Sequence, residues 1–210
     1  MTPVGDRRYL NRMRLVATVS FSRRNLPHWE VANGRYFVTV RCAGSLPRAV
    51  FKQLTEIQSA LRSADARSVQ YARWQRRHFM TLEKYLDAHH GNCTLLQVPA
   101  ARILVDELGA LSEWNVAVPH YTVLPNHWHA MIVPGAGCKY SLATIMKRIK
   151  GRSAHTIRNE LGGRGAVWQS EWFDRWMRND TEWEKCVDYI RNNPVKSGLV
   201  RTWAEHPWTR

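Results

Sequence analysis

The chain alternates between short apolar runs bounded by glycine or proline and longer amphipathic stretches. Tyr36 to Cys42 is a β-branched and aromatic run between Gly34 and Gly44, which predicts a strand. Pro47 opens a helix running to about Arg62, and residues 65 to 90, rich in helix formers, predict a second, interrupted at Gly91-Asn92. A third helix covers roughly Pro99 to Leu111. Two strands follow, about 114 to 124 and 128 to 134, separated by the turn chemistry of Pro125-Asn126. A helix over 141 to 160 ends at Gly162-Gly163, and Trp168 to Met177 reads as irregular or a short hairpin. The last helix starts at Thr181, whose pairing with Glu184 forms a capping box, and stops at Pro194. Without internal repeats or linkers, this order predicts one α+β domain with a mostly antiparallel sheet. Residues 1–33 form a basic arm and 34–210 the domain proper.

Charge sharpens the picture. The 210 residues carry 31 Lys and Arg against 17 Asp and Glu, a formal net charge of +14. Such an excess points to a polyanionic partner, and nucleic acid is the commonest, because neutralising phosphates releases condensed counterions. Arg7, Arg8, Arg12, Arg14, Arg23, Arg24 and Arg35 crowd the first 35 residues, and Lys147, Arg148, Lys150, Arg152 and Arg158 line one helix. Ten tryptophans offer faces on which unpaired bases stack, although most serve packing. The four cysteines stand far apart with no CxxC pair, which argues against a zinc ribbon or a disulfide framework. With no apolar run long enough for a membrane span and no signal-peptide core, the expectation is a cytoplasmic protein without membrane association.

Two segments carry candidate chemistry. In Pro125-Asn126-His127-Trp128-His129 the histidines stand two apart at the start of a strand, so both project to one face and can hold one metal ion. Chance also produces such pairs. In the last helix Trp183, Cys186, Val187 and Ile190 form the buried stripe, and Tyr189 and Asn193 lie one turn apart on its flank. Taken alone, Tyr189 there is equally an amphipathic packing residue.

The motif Pro-Asn-His-Trp-His, followed by Val167-Trp168-Gln169, Phe173, Met177-Arg178-Asn179 and Val187-Asp188-Tyr189-Ile190-Arg191-Asn192-Asn193-Pro194-Val195-Lys196-Ser197-Gly198, resembles the REP-associated tyrosine transposases of the HUH superfamily. Gly34-Arg35-Tyr36-Phe37-Val38-Thr39 and His206-Pro207-Trp208 extend the likeness over roughly residues 30 to 208. The resemblance implies a ferredoxin-like antiparallel sheet with helices on one face, here with a helical elaboration. It implies that His127 and His129 bind Mg²⁺ or Mn²⁺ with Asn193 as third ligand, and that Tyr189 is the nucleophile. The product would be a 5′-phosphotyrosine link to single-stranded DNA beside a palindromic repeat hairpin. Arg35, Lys147, Arg148, Lys150, Arg152, Arg158 and Arg178 are the candidate DNA contacts, in a monomer or a homodimer. Two rival readings are a metal-dependent nuclease using His127 and His129, and a non-catalytic hairpin-binding protein.

Overall fold

The computed structural model describes residues 18–23, 27–65 and 68–210. Arg7, Arg8, Arg12, Arg14 and Arg24 of the basic arm lie outside them. The described part of residues 1–33 contains a hairpin: β1 (Thr18–Arg23) pairs antiparallel with β2 (Pro27–Val31). The pairing register shifts between Thr18 and Ser20. The hairpin is docked on the body through His28, whose Nδ1 is hydrogen-bonded to buried Asp174 and whose ring stacks on Trp172 at 4.3 Å.

The main sheet is built on β3 (Tyr36–Arg41), which pairs antiparallel with β6 (His127–Pro134) on one side and β7 (Phe173–Trp176) on the other. β4 (Val116–Ala117) and β5 (Tyr121–Leu124) share the far edge of β6. The strand expected over 114 to 124 is therefore two: a 3₁₀ turn closes at Trp114, and Pro119, which cannot donate to a ladder, separates the halves. Chain-terminal residues extend this edge, with Val123 N–H donating to the Trp208 carbonyl at 3.0 Å. Within 168–177 the stretch 169–172 is irregular, and Phe173–Trp176 is a strand but no hairpin, because its partner is β3, more than a hundred residues earlier.

Alternation along β3 and β6 divides the core. Tyr36, Val38, Val40, Trp128, Ala130 and Ile132 face α3 (Val98–Gly109) and α4 (Leu142–Leu161). Phe37 and Met131 face the other way, towards Phe79 of α2 (Val69–Leu86) and Tyr189 and Ile190 of α5 (Asp180–Lys196). Helices thus cover both faces, where one covered face was expected. This is why Tyr36 to Val40 is apolar at nearly every position: a strand buried on both sides shows no polar alternation. α1 (Arg48–Ser63) backs α2 through Val50, Leu54, Leu82 and Leu86, making the helical elaboration an antiparallel pair inserted after β3. The pair returns to the sheet at Gly91, whose φ of +71° and approach to the Gly44 carbonyl leave no room for a Cβ. Among the described residues no helix is long and apolar enough to cross a membrane.

The N-cap of α5 stands two residues before the expected one. Asn179, not Thr181, is the N-cap: its side chain accepts from Glu182 N–H at 2.8 Å, and Asp180 and Glu182 sit in the first turn, where the helix dipole favours negative charge. The helix also runs through Pro194 to Lys196, since so near the C-terminus proline forfeits a single backbone bond, and Ser197 N–H still donates to the Asn193 carbonyl at 2.9 Å. Asn179→Ala is expected to lower unfolding free energy by about 1 kcal/mol in urea titration. Thr181→Ala should stay within about 0.5 kcal/mol of wild type.

Candidate active site

His127 lies opposite Arg41 and Leu124 in the sheet, and His129 opposite Thr39 and Thr122. As their spacing requires, both imidazoles project to the α2/α5 face, with ring centroids 4.8 Å apart, while Trp128 is buried on the opposite face near Trp168. Neither imidazole is solvent-accessible. Their Nδ1 atoms are held from the sheet side, His127 by Asn126 Oδ1 at 2.7 Å and His129 by Thr39 Oγ1 at 2.8 Å. His127 Nδ1 must be the donor there, because an amide oxygen can only accept, so its Nε2 carries a free lone pair. Asn193 Nδ2 donates to His129 Nε2 at 3.2 Å, which gives His129 the same tautomer. Both rings thus turn a lone pair inward, the form in which imidazole binds metals.

Two helices close over this pair. Tyr189 of α5 sets its ring edge-on to His129 at 5.3 Å between centroids, and edge-on to Phe37 and Phe79. Asn193, one turn on, is buried beside it, its Oδ1 accepting from the Ser197 hydroxyl at 3.3 Å. From α2 comes Glu83, also buried, whose Oε2 accepts a hydrogen bond from the Tyr189 hydroxyl and lies 3.6 Å from His129 Nε2. One potential ligand atom from each of Glu83, His127 and His129 falls within 4.8 Å of the others. His127 Nε2 and Glu83 Oε1 are buried with no hydrogen-bond partner among the described residues.

Burial governs the charges. It pushes His127 down to about 3, with the neighbouring His89 and Lys196 adding to the effect. It also drives His129 well below the usual histidine value, helped by His127 and Lys196. Glu83 is driven well above the ordinary carboxylate value by burial and then by Asp87, against the opposing pull of Lys196 and Asn193. Burial thus disfavours the charged form of both partners in the Glu83–His129 contact. Buried polar atoms without hydrogen-bond partners carry a desolvation cost that a coordinated cation would offset.

Tyr189, Asn193, His127 and His129 thus converge. Glu83 was missed by the sequence reading, though a signal existed: it sits in the buried stripe of α2 between Phe79 and Leu86, an acid at an apolar position. The expected basic residues are not brought to this site as a group. α4 lies on the opposite face of the sheet, where Lys147 is exposed and Arg158 half-buried. Arg148 does not face outward: it is buried, donates to Glu113 at 2.8 Å and to the Ala110 carbonyl, and lies over Trp114. Lys150 donates to the Ser170 carbonyl and Arg152 pairs with Glu107 at 3.1 Å. Arg35 pairs with Asp180 at 2.8 Å and lies over Trp183. Arg178 is exposed at the entry to α5.

Residues 107–193 match the family model described as "Transposase IS200 like". The REP-associated tyrosine transposase of Escherichia coli (strain K12) is 29% identical over 90 residues, which cover 42% of this chain and 50% of that protein. The match thus spans half the length of that relative. A solved structure of the REP-associated tyrosine transposase bound to a REP hairpin aligns with a TM-score of 0.51 at 18% identity, covering 91% of this chain and 82% of that one. The resemblance read from the sequence motifs holds, and the α+β fold with its antiparallel sheet is that of the solved transposase. The matched segment contains His127, His129, Tyr189 and Asn193, whereas Glu83 precedes it.

The depressed histidines set an acid limb for the metal-free protein. Between the ordinary value of 6.5 and about 3 the unfolded chain protonates His127 and the folded chain does not, so stability falls as pH drops through that window. The slope is up to about 1.4 kcal/mol per pH unit for one proton. Glu83 works in the opposite sense, favouring the fold at low pH and losing that contribution as pH rises. Chemical denaturation in EDTA from pH 7 to 5 is expected to show the stability gap between wild type and His127→Asn narrowing as the solution is acidified.

Proposed function

We propose that the chain is a metal-dependent single-stranded DNA transesterase that cleaves and rejoins DNA beside hairpins, with Tyr189 as nucleophile and residues 34–210 as the catalytic unit. The observation that carries the reading is the hydroxyl of Tyr189 hydrogen-bonded to a carboxylate that belongs to the same buried donor cluster as His127 and His129. The donors fit a divalent ion. Two inward lone pairs, a carboxylate oxygen without a partner and a neighbouring amide form a nitrogen and oxygen set that suits Mn²⁺ at least as well as Mg²⁺. His127, His129 and Glu83 would hold it, with Asn193 supplying its amide oxygen after a rotation that gives up the bond from Ser197. When bound, such an ion withdraws charge from a nonbridging phosphate oxygen and offsets the negative charge that develops on attack.

The chain's own residues do the rest. Phe37, Phe79 and His129 pack round the Tyr189 ring and fix its axis, and Glu83 Oε2 orients the hydroxyl. Attack of Tyr189 Oη forms the O–P bond while the P–O3′ bond breaks. The phenol proton is balanced by protonation of the departing 3′-oxygen. The 5′-phosphotyrosine conserves the energy of the phosphodiester, so a 3′-hydroxyl can reverse the step without a nucleotide cofactor. A tyrosine nucleophile in place of an activated water makes this strand transfer and not hydrolysis. The hairpin partner is proposed from the relatives, one of which was solved on a REP hairpin.

Incubation of the protein with a labelled hairpin oligonucleotide and Mn²⁺, resolved on a denaturing gel, should give a covalent adduct that Tyr189→Phe abolishes. Strand cleavage without adduct in both proteins would instead identify a nuclease, and binding without cleavage a non-catalytic hairpin binder. By isothermal titration Glu83→Gln is expected to weaken Mn²⁺ binding by about tenfold or more, since one anionic ligand is lost.

A further inference from the structure

α2 and β7 enclose a cavity of about 390 Å³ that reaches the nucleophile and is lined by Arg73, Arg76, Phe79, Trp176, Arg178 and Tyr189 among others. We propose that this cavity is the binding site of the unpaired nucleotide next to the scissile phosphate: it takes one base against its aromatic wall and the flanking phosphates at its arginine rim. The inference rests on Tyr189 being the nucleophile.

Three observations lead to it. First, three of the lining arginines, Arg73, Arg76 and Arg178, form no ion pair among the described residues. Neighbouring arginines are engaged, Arg175 with Glu182 at 3.0 Å and Arg35 with Asp180. The carboxylate that also lines the cavity, Asp174, is buried and hydrogen-bonded to His28. Three unpaired guanidinium groups converging on one opening select an anion, and they can fork onto phosphate oxygens. Second, the interior is aromatic. A ring-lined pocket beneath a cationic rim matches a planar base joined to a phosphate, the arrangement by which single strands are held without sequence readout. Third, the size is at the lower end for small-ligand pockets. A cavity of that size suits a single unpaired nucleotide.

The position adds direction. His127 and His129 are sealed beneath α2, and Tyr189 is half-exposed where it lines the cavity. The cavity meets the Tyr189 side chain, whose ring lies edge-on to His129 at 5.3 Å between centroids. This also relocates DNA contact from the basic helix α4, on the far face of the sheet, to α2 and the segment leading into α5.

The test is affinity in EDTA, where chemistry is stopped, for a hairpin with an unpaired tail and for the same hairpin without it, measured by fluorescence anisotropy. Wild type should bind the tailed form at least tenfold more tightly. Arg73→Ala/Arg76→Ala alters exposed side chains. It should lose most of that preference and reduce the salt slope for the tailed form by about 1.4, two contacts at about 0.7 each on a single strand. Affinity for the tailless hairpin should change by no more than about twofold. Abasic residues in the tail should weaken wild-type binding about fivefold or more, as loss of stacking requires. An equal loss for both hairpins, or no tail preference in a wild-type protein that still forms the covalent adduct, overturns the cavity assignment. Tail preference that depends on Arg73 and Arg76 in a protein that forms no adduct supports the cavity and overturns the catalytic reading instead.

Discussion

The antiparallel register of β3 against β6 is the constraint on which the site depends. It sets Thr39 opposite His129 and Arg41 opposite His127, so the sheet itself supplies the hydroxyl that holds one imidazole and the turn before β6 supplies the amide that holds the other. A slip of one residue would exchange the faces, turning Trp128 towards the helices of the site and both histidines into the apolar core beneath α3 and α4. Fully buried Trp128, Ala130 and Ile132 oppose that slip, because each would lose its packing. Chemistry and core are therefore specified by the same alternation.

On that frame the site is assembled from distant parts. The imidazoles come from a strand, Tyr189 and Asn193 from the last long helix, and Glu83 from the inserted α1–α2 pair. Burial disfavours the charged forms of His127, His129 and Glu83, and a divalent cation would convert a cluster that is expensive to desolvate into one that is coordinated. α2 has a double part: its inner side contributes Glu83 and Phe79, while Arg73 and Arg76 lie nearer its N-terminus at the mouth of the cavity.

What could be read from the sequence follows from how local each signal is. The His-Trp-His alternation and the Tyr189-to-Asn193 helical turn are spacing rules within one element, and both survive in the fold. β3, α1, α3 and α4 were marked by their own periodicity and punctuation. β7 was not, because an edge strand of four residues containing Asp174 and Arg175 is defined only by its pairing to β3. The cap of α5 was misplaced by two residues because Thr181 and Glu184 fit a capping box that Asn179 pre-empts. Arg148 counted as a phosphate contact because its charge is visible in sequence and its burial against Trp114 is not. Glu83 escaped notice since no spacing rule links a residue in an inserted helix to a histidine more than forty positions later.

The uninterrupted passage of α5 through Pro194 has a mechanical meaning. Because the helix does not break there, the phenol of Tyr189 and the amide of Asn193 ride on one stiff rod, anchored by Ile190 in the core. Any sliding or tilting of that rod moves both side chains relative to His129 in the same stroke. Tyr189 and Asn193 thus approach or leave the histidine pair together and not one at a time.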